Sequence, residues 1–182
     1  MANMKITLTP EIAYIIGMWT VKKSKIGVGI YGMPHIRDYF IKSILKAGIM
    51  PSHKILTSGK RTYFYHNGYS KYFNDIEKEL DKRFRSMNTL SSAFVAGMFD
   101  AGGKKEGEVL KFFNISQEKF LLIERLGFRF EKAGKFFVPV PQEKFRKFIE
   151  PYSQILEDPY FNAEAMEDWV DEKYEEEEED EI

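Results

Sequence analysis

Apolar positions recur along the chain with two periods, near 3.6 and 2, and the points where the period switches mark off its elements. Thr9-Pro10 opens a helix predicted to run to about Trp19, with Thr9 as N-cap and Pro10 at the first helical position. Residues 26–31 alternate as a strand does and are ended by Gly32 and Pro34. A helix is predicted over 35–47, with Ile36, Tyr39, Phe40, Ile44 and Leu45 as its apolar face and Gly48 just past its end. A hairpin follows, with arms near 54–57 and 60–66 and Ser58-Gly59 as the turn. A helix over 70–85, carrying Tyr72, Phe73, Ile76 and Leu80, completes the unit.

The order then returns in fewer residues: a helix around 94–100, a strand near 109–114, a helix over 116–126 ending at Gly127, a hairpin of 128–131 with 135–140, and a helix from 142 to about 152. Ala133-Gly134-Lys135 matches Ser58-Gly59-Lys60, and Phe148 falls opposite Phe73. Each unit therefore reads as helix, strand, helix, hairpin, helix, with room for one more short strand, and the class is α+β. The match is closest between EIAYIIGMWTVKKSK at 11–25 and SSAFVAGMFDAGGKK at 91–105, which superpose without a gap eighty residues apart. Ala13 pairs with Ala93, Tyr14 with Phe94, Gly17 with Gly97, Met18 with Met98 and Lys25 with Lys105. A glycine inside a helix costs about 1 kcal/mol against alanine, so two at matching positions ask for a reason, and close helix–helix approach supplies one. Ala13, Gly17, Ala93 and Gly97 are the expected contact residues.

On these residues the chain resembles a known family. VAGMFDAGG, residues 95–103, is similar to the nine-residue signature of the LAGLIDADG homing endonucleases, and IIGMWTVKK, residues 15–23, to a decayed second copy. The resemblance extends over roughly residues 9–152. It implies two pseudo-symmetric repeats whose antiparallel sheets form a saddle for the major groove of double-stranded DNA, with the motif helices packed at the centre. It divides the chain into repeats at 1–87 and 88–152; beyond them the residues themselves read as a docking segment at 153–174, with Met166, Trp169 and Val170 spaced to pack on the body, and an acidic tail at 175–182. In the family the eighth letter of each motif is an acid that binds the catalytic metal; here the eighth letters are Lys22 and Gly102.

Metal-assisted phosphodiester hydrolysis needs hard oxygen ligands, normally carboxylates. No acid lies between Glu11 and Asp38, and Asp100, the sixth letter, points about 200° around its helix from the eighth. No catalytic residue, metal or cofactor is expected. Lys22 would repel a dication yet neutralise a phosphate oxygen.

Charge strengthens the nucleic-acid reading. The formal net charge of −1 averages two unlike regions: from Glu164 onward there are twelve acids and one lysine, which leaves 26 basic and 16 acidic residues ahead of it. A body with that excess suits a polyanion. Phosphate contacts are expected from Lys22, Lys23, Lys25, Lys104, Lys105 and Lys111 after the motif helices, and from Lys54, Lys60, Arg61, Arg129, Lys132 and Lys135 on the hairpins. Arg61, Tyr63, Tyr65, His66 and Arg129 are candidates for base readout, although the alternation that puts Arg61, Tyr63 and Tyr65 on one face suits core packing better for the two tyrosines. The absence of cysteine excludes disulfides and thiolate metal sites, and no apolar run is long enough for a bilayer, so a cytoplasmic location is expected; with two repeats in one chain, the resemblance implies a monomer with pseudo-twofold symmetry. The expected function is binding of double-stranded DNA without cleavage. The alternatives are an RNA maturase-like splicing factor, a module for a protein partner on which the acidic tail docks, and a nuclease with unconventional ligands.

Overall fold

The computed structural model describes residues 5–158, so most of the docking segment expected at 153–174 and the acidic tail at 175–182 lie outside the described residues. The chain begins with α1 (Pro10–Val21), which is capped as the sequence predicts: the Thr9 side chain accepts from the Ile12 amide at 3.3 Å. β1 (Val28–Tyr31) and α2 (Pro34–Lys46) follow. Gly48 takes up φ +65° past the end of α2, and Ile36, Tyr39, Phe40 and Ile44 are buried as expected, whereas Leu45 points outward.

The first hairpin is β2 (Leu56–Ser58) with β3 (Arg61–Phe64), turned at Gly59 with φ +56°. The single helix expected over 70–85 is two, α3 (Asn67–Glu77) and α4 (Leu80–Arg83). The first starts early because His66 Nδ1 caps it, accepting from the Tyr69 amide at 3.2 Å. Past the second lies Phe84, stacked on Phe94 at 4.1 Å between ring centroids.

The second motif helix, α5 (Thr89–Gly102), is twice as long as its apolar run suggested. Asn88 caps it through the Ser91 amide at 2.9 Å, and Ser91 and Ser92, polar in the sequence, are buried. β4 (Gly103–Glu106), β5 (Val109–Phe112), α6 (Gln117–Arg125), β6 (Arg129–Ala133), β7 (Phe136–Val140), α7 (Gln142–Ile149) and α8 (Gln154–Glu157) complete the described chain. Both sheets are antiparallel, one ordered β1-β3-β2 and the other β4-β5-β7-β6. β4 is the further short strand; its counterpart in the first half is a lone bridge between Lys23 and Ile30.

α1 and α5 are buried on all sides at the centre, and their contact is reciprocal. A Cβ on Gly17 would run into the carbonyl oxygen of Phe94, and one on Gly97 into that of Tyr14. Tyr14 and Phe94 are themselves matching positions of the repeat, so the two helices meet backbone to backbone across a pseudo-twofold axis. Trp19 then packs edge-on against Phe73 in one half and Phe99 against Phe145 in the other, at 5.4 and 6.1 Å. The ring that answers Phe73 is thus Phe145 rather than Phe148, which packs on Phe128 instead.

Candidate nucleic-acid interface

Pairing fixes which side chains share a face. In the first sheet Val28 pairs with Phe64 and Ile30 with Thr62, all four buried, so this is the face on the core. Gly29 pairs with Tyr63 and Tyr31 with Arg61 on the other face, which no helix among the described residues covers and which Leu56 and Ser58 extend. The expectation that Tyr63 and Tyr65 pack in the core is therefore corrected. Tyr63 is half-buried on the outer face and Tyr65, just past the strand, is 66% exposed, while Thr62 and Phe64 turn inward.

In the second sheet Leu110, Phe112, Phe130 and Phe137 face the helices, with Phe120 of α6 at 4.3 Å from Phe130. Lys104, Lys111, Phe136, Val138 and Arg129 occupy the outer face. Phe113, one residue past β5, joins them with its ring 5.0 Å from that of Phe136.

The feet of the motif helices open between these outer faces. The Lys22 carbonyl accepts from the Tyr31 amide at 2.9 Å, and the Gly102 carbonyl from the Phe113 amide at 3.0 Å, so an aromatic residue adjoins each eighth letter of the repeat. Lys22 Nζ stands 5.4 Å from the centre of the Tyr31 ring. A Cβ on Gly102 would lie 2.7 Å from Val21 Cγ1, so the second foot is closed by the seventh letter of the first motif.

The twelve basic residues expected to touch phosphate fall into distinct places. Arg61, Lys111 and Arg129 lie on the outer faces, Lys60 and Lys135 at the two matching hairpin turns, and Lys22 at the first foot. Lys25 and Lys54 are exposed in connections beside the first sheet. Lys104 shares the outer face but is only 3% exposed, held by Glu106 at 3.3 Å. Lys23 is drawn instead to α3, donating to Glu77 at 2.7 Å and Asn74 at 3.3 Å above the Trp19 ring. Lys105 and Lys132 pair with Leu110 and Phe137, which puts them on the helix side of the second sheet. Period-two alternation decides these last two positions, and clustering of charge in the sequence does not reveal it. Sequence reasoning passed over Tyr31, Phe113 and Phe136; their alternation with Ile30, Phe112 and Phe137 was the available signal.

Asp100 takes no part in this surface. It is fully buried between the two halves and the C-terminal segment, accepting from the Tyr14 hydroxyl, the Ser153 hydroxyl and the Gln154 amide, each at 2.6 Å. Gln154 also reaches Ser43 at 3.0 Å, tying α8 to α1, α2 and α5. Burial outweighs these donors and pushes the Asp100 carboxyl from its ordinary 3.8 up to about 7, and it also raises the Tyr14 phenol. Between those two pH values the folded state holds a proton that the unfolded state has released, so this group's contribution to stability falls as pH rises from about 4 to about 7. Asp100→Asn keeps an acceptor for Tyr14 and Gln154 and is expected to flatten that slope in melting temperatures measured across the range. An unchanged slope in the variant would place the pH dependence elsewhere.

No protein-family model matches the chain, and no curated protein matches it. Solved structures do. A mesophilic variant of the homing endonuclease I-DmoI aligns with a TM-score of 0.55 at 16% identity, over 79% of this chain and 96% of that one. I-DmoI in complex with DNA and manganese aligns with a TM-score of 0.55 at 15% identity, over 81% and 98% of the two chains. A further I-DmoI variant, bound to its target DNA in the presence of magnesium, gives 0.57 at 15% over 78% and 96%. The fold is that of a homing endonuclease. Its two sheets, central helices and pseudo-twofold axis are those the sequence resemblance implied. Among the described residues no helix is long and apolar enough to cross a membrane.

Proposed function

We propose that this homing-endonuclease fold binds double-stranded DNA in the saddle of its two sheets and does not cut it. One observation carries the reading: the outer faces and hairpin turns on either side of the pseudo-twofold axis bear cations at matching places, Lys60 with Lys135 above all, while the motif feet between them present Lys22 and Gly102. Binding then comes from phosphate neutralisation on both arms of the saddle, which needs no metal. The feet do not suit a divalent cation. Lys22 brings an ammonium group, Gly102 brings no side chain and is closed off by Val21, and the nearby Glu106 is engaged by Lys104 and Lys111 at 3.3 and 3.1 Å.

Duplex pools are expected to be retained at low salt without metal, and no duplex to be nicked in Mg²⁺ or Mn²⁺. Lys22→Asp with Gly102→Asp is expected to stay silent as well, unless Val21→Ala makes room for the second carboxylate. Robust single-site cleavage by the unaltered protein would overturn the non-cleaving assignment, and failure to retain any duplex would overturn the binding assignment.

The residues beyond Asp158 enter this reading through charge alone. Held within a few tens of residues of a cationic surface, the acidic segment 175–182 reaches an effective concentration up to about millimolar and competes with non-specific nucleic acid. Ending the chain after Tyr174 is expected to raise affinity for random duplex several-fold at low salt and hardly at all at high salt, where screening acts over distances under about 10 Å. Equal affinity of the two forms across that range in a filter-binding titration would assign the tail another role.

A further inference from the structure

The outer faces carry aromatic rings where a phosphate-binding surface needs none. We propose that these faces hold single-stranded DNA, with bases stacked on Tyr31, Tyr63, Phe113 and Phe136 and phosphates on the lysines beside them. This rests on the nucleic-acid reading and narrows it: the preferred target is DNA opened over the motif feet rather than a continuous duplex.

Tyr31 and Phe113 are bonded through their backbone amides to the two eighth letters, so one ring stands at each foot, where strands would part about the pseudo-twofold axis. Phe113 meets Phe136 at 5.0 Å, and the ammonium groups of Lys111, Lys104 and Lys135 lie 5.1, 5.5 and 5.8 Å from the Phe136 centroid. On the other arm, glycines make room for Tyr63. A Cβ on Gly27 would lie 3.2 Å from Tyr63 Cδ2, and Gly29 faces Tyr63 directly across the ladder. The exposed Tyr65 sits edge-on to it at 5.6 Å.

A duplex groove shows these rings only base edges and sugar-phosphate. An unpaired base offers a π-face, and its phosphate lies within reach of the ammonium groups gathered over these rings, Lys22 at Tyr31 and Lys111, Lys104 and Lys135 at Phe136. Aromatic faces interleaved with lysines are the combination used for single strands, because every base stacks and every nucleotide brings one negative charge. Tyr31, Tyr63, Phe113 and Phe136 are half-buried, so charge complementarity and partly open rings agree on the same occupant. Glu106, which accepts from both Lys104 and Lys111, holds their ammonium groups at the sheet.

The full chain is titrated at one salt concentration against three labelled DNAs of the same sequence: a continuous duplex, a duplex with an unpaired central bubble, and the single strand. The bubble and single strand are expected to bind at least about fivefold more tightly than the duplex, the smallest gain from one stacked base. 2-Aminopurine within the bubble is expected to lose fluorescence on binding. Tyr31→Leu and Phe136→Leu keep apolar volume without a π-face and are expected to abolish both the preference for opened DNA over duplex and the quenching. The quenching by the unaltered protein decides the matter even where a leucine variant folds poorly. A duplex bound as tightly as the bubble, without quenching, overturns the inference and leaves the saddle reading standing. Absence of salt-dependent binding to any of the three overturns the saddle reading itself. Tighter binding of RNA of the same sequence than of the single-stranded DNA overturns the assignment to DNA.

Discussion

Gly97→Ala is expected to cost the protein about 3 kcal/mol or more, against a total stability of about 5–15 kcal/mol for a chain of this kind. By helix propensity alone the substitution should stabilise by about 1 kcal/mol, so the sign of the change is diagnostic. The new methyl has nowhere to go. It would meet the Tyr14 carbonyl oxygen and lie 3.0 Å from the Met18 amide nitrogen, and these are backbone atoms of α1 that move only if the helix moves. Separating α1 from α5 then loosens a contact in which Ala13, Ile16, Ala93 and Ala96 are wholly buried. Gly17→Ala presses on Phe94 in the same way and is expected to be similarly harmful. The double variant should cost less than the sum, since helices already forced apart by one methyl accommodate the second. Urea denaturation of the four proteins tests all of this. A stabilised or unchanged Gly97→Ala protein would mean that the helices do not approach as closely as described.

Neutralising Lys60, Arg61 and Lys135 together is expected to lower duplex affinity roughly a hundredfold at low salt and to reduce the slope of log affinity on log salt by about 0.9 for every phosphate that is no longer neutralised. Lys60 and Lys135 precede β3 and β7 at matching turns, so both arms of the saddle are weakened at once. The loss should be nearly uniform across sequences, because phosphate contacts position a protein without reading bases. Lys78 and Lys82, exposed on the helical side, provide the comparison and are expected to change little. Equal losses from the two sets, measured by anisotropy over a salt series, would mean that the protein attracts DNA by diffuse charge.

Much of this fold is legible in the sequence wherever local chemistry decides the outcome. Thr9 with Pro10 starts α1, Gly48 ends α2, and Gly59 and Gly134 turn the two hairpins because only glycine enters the left-handed region there freely. The reciprocal role of Gly17 and Gly97 follows from their matching places in the repeat. What was not legible depends on tertiary contacts. The start of α5 is hidden because Ser91 and Ser92 look like solvent residues, yet both are buried, and Ser92 donates to the Phe148 carbonyl of α7. The break between α3 and α4 leaves no mark in a run of good helix formers. Tyr63 and Tyr65 suit either face of a half-buried strand, and only pairing with Gly29 on the face away from the helices settles the side for Tyr63. Of the twelve cations, those misplaced were the ones whose direction a register or an acidic neighbour determines.

The reciprocal glycine contact also bears on how the two halves differ. It is made by peptide carbonyls, which every residue possesses, so it constrains little beyond the glycines themselves. The surfaces hung on it are correspondingly free to diverge, and they have: a three-stranded arm showing tyrosines beside Arg61 stands against a four-stranded arm showing phenylalanines and lysines beside Arg129. Under the proposed binding mode a strand lying across both would be gripped differently at its two ends, so the complex would acquire a polarity, and an inverted target would be a different target.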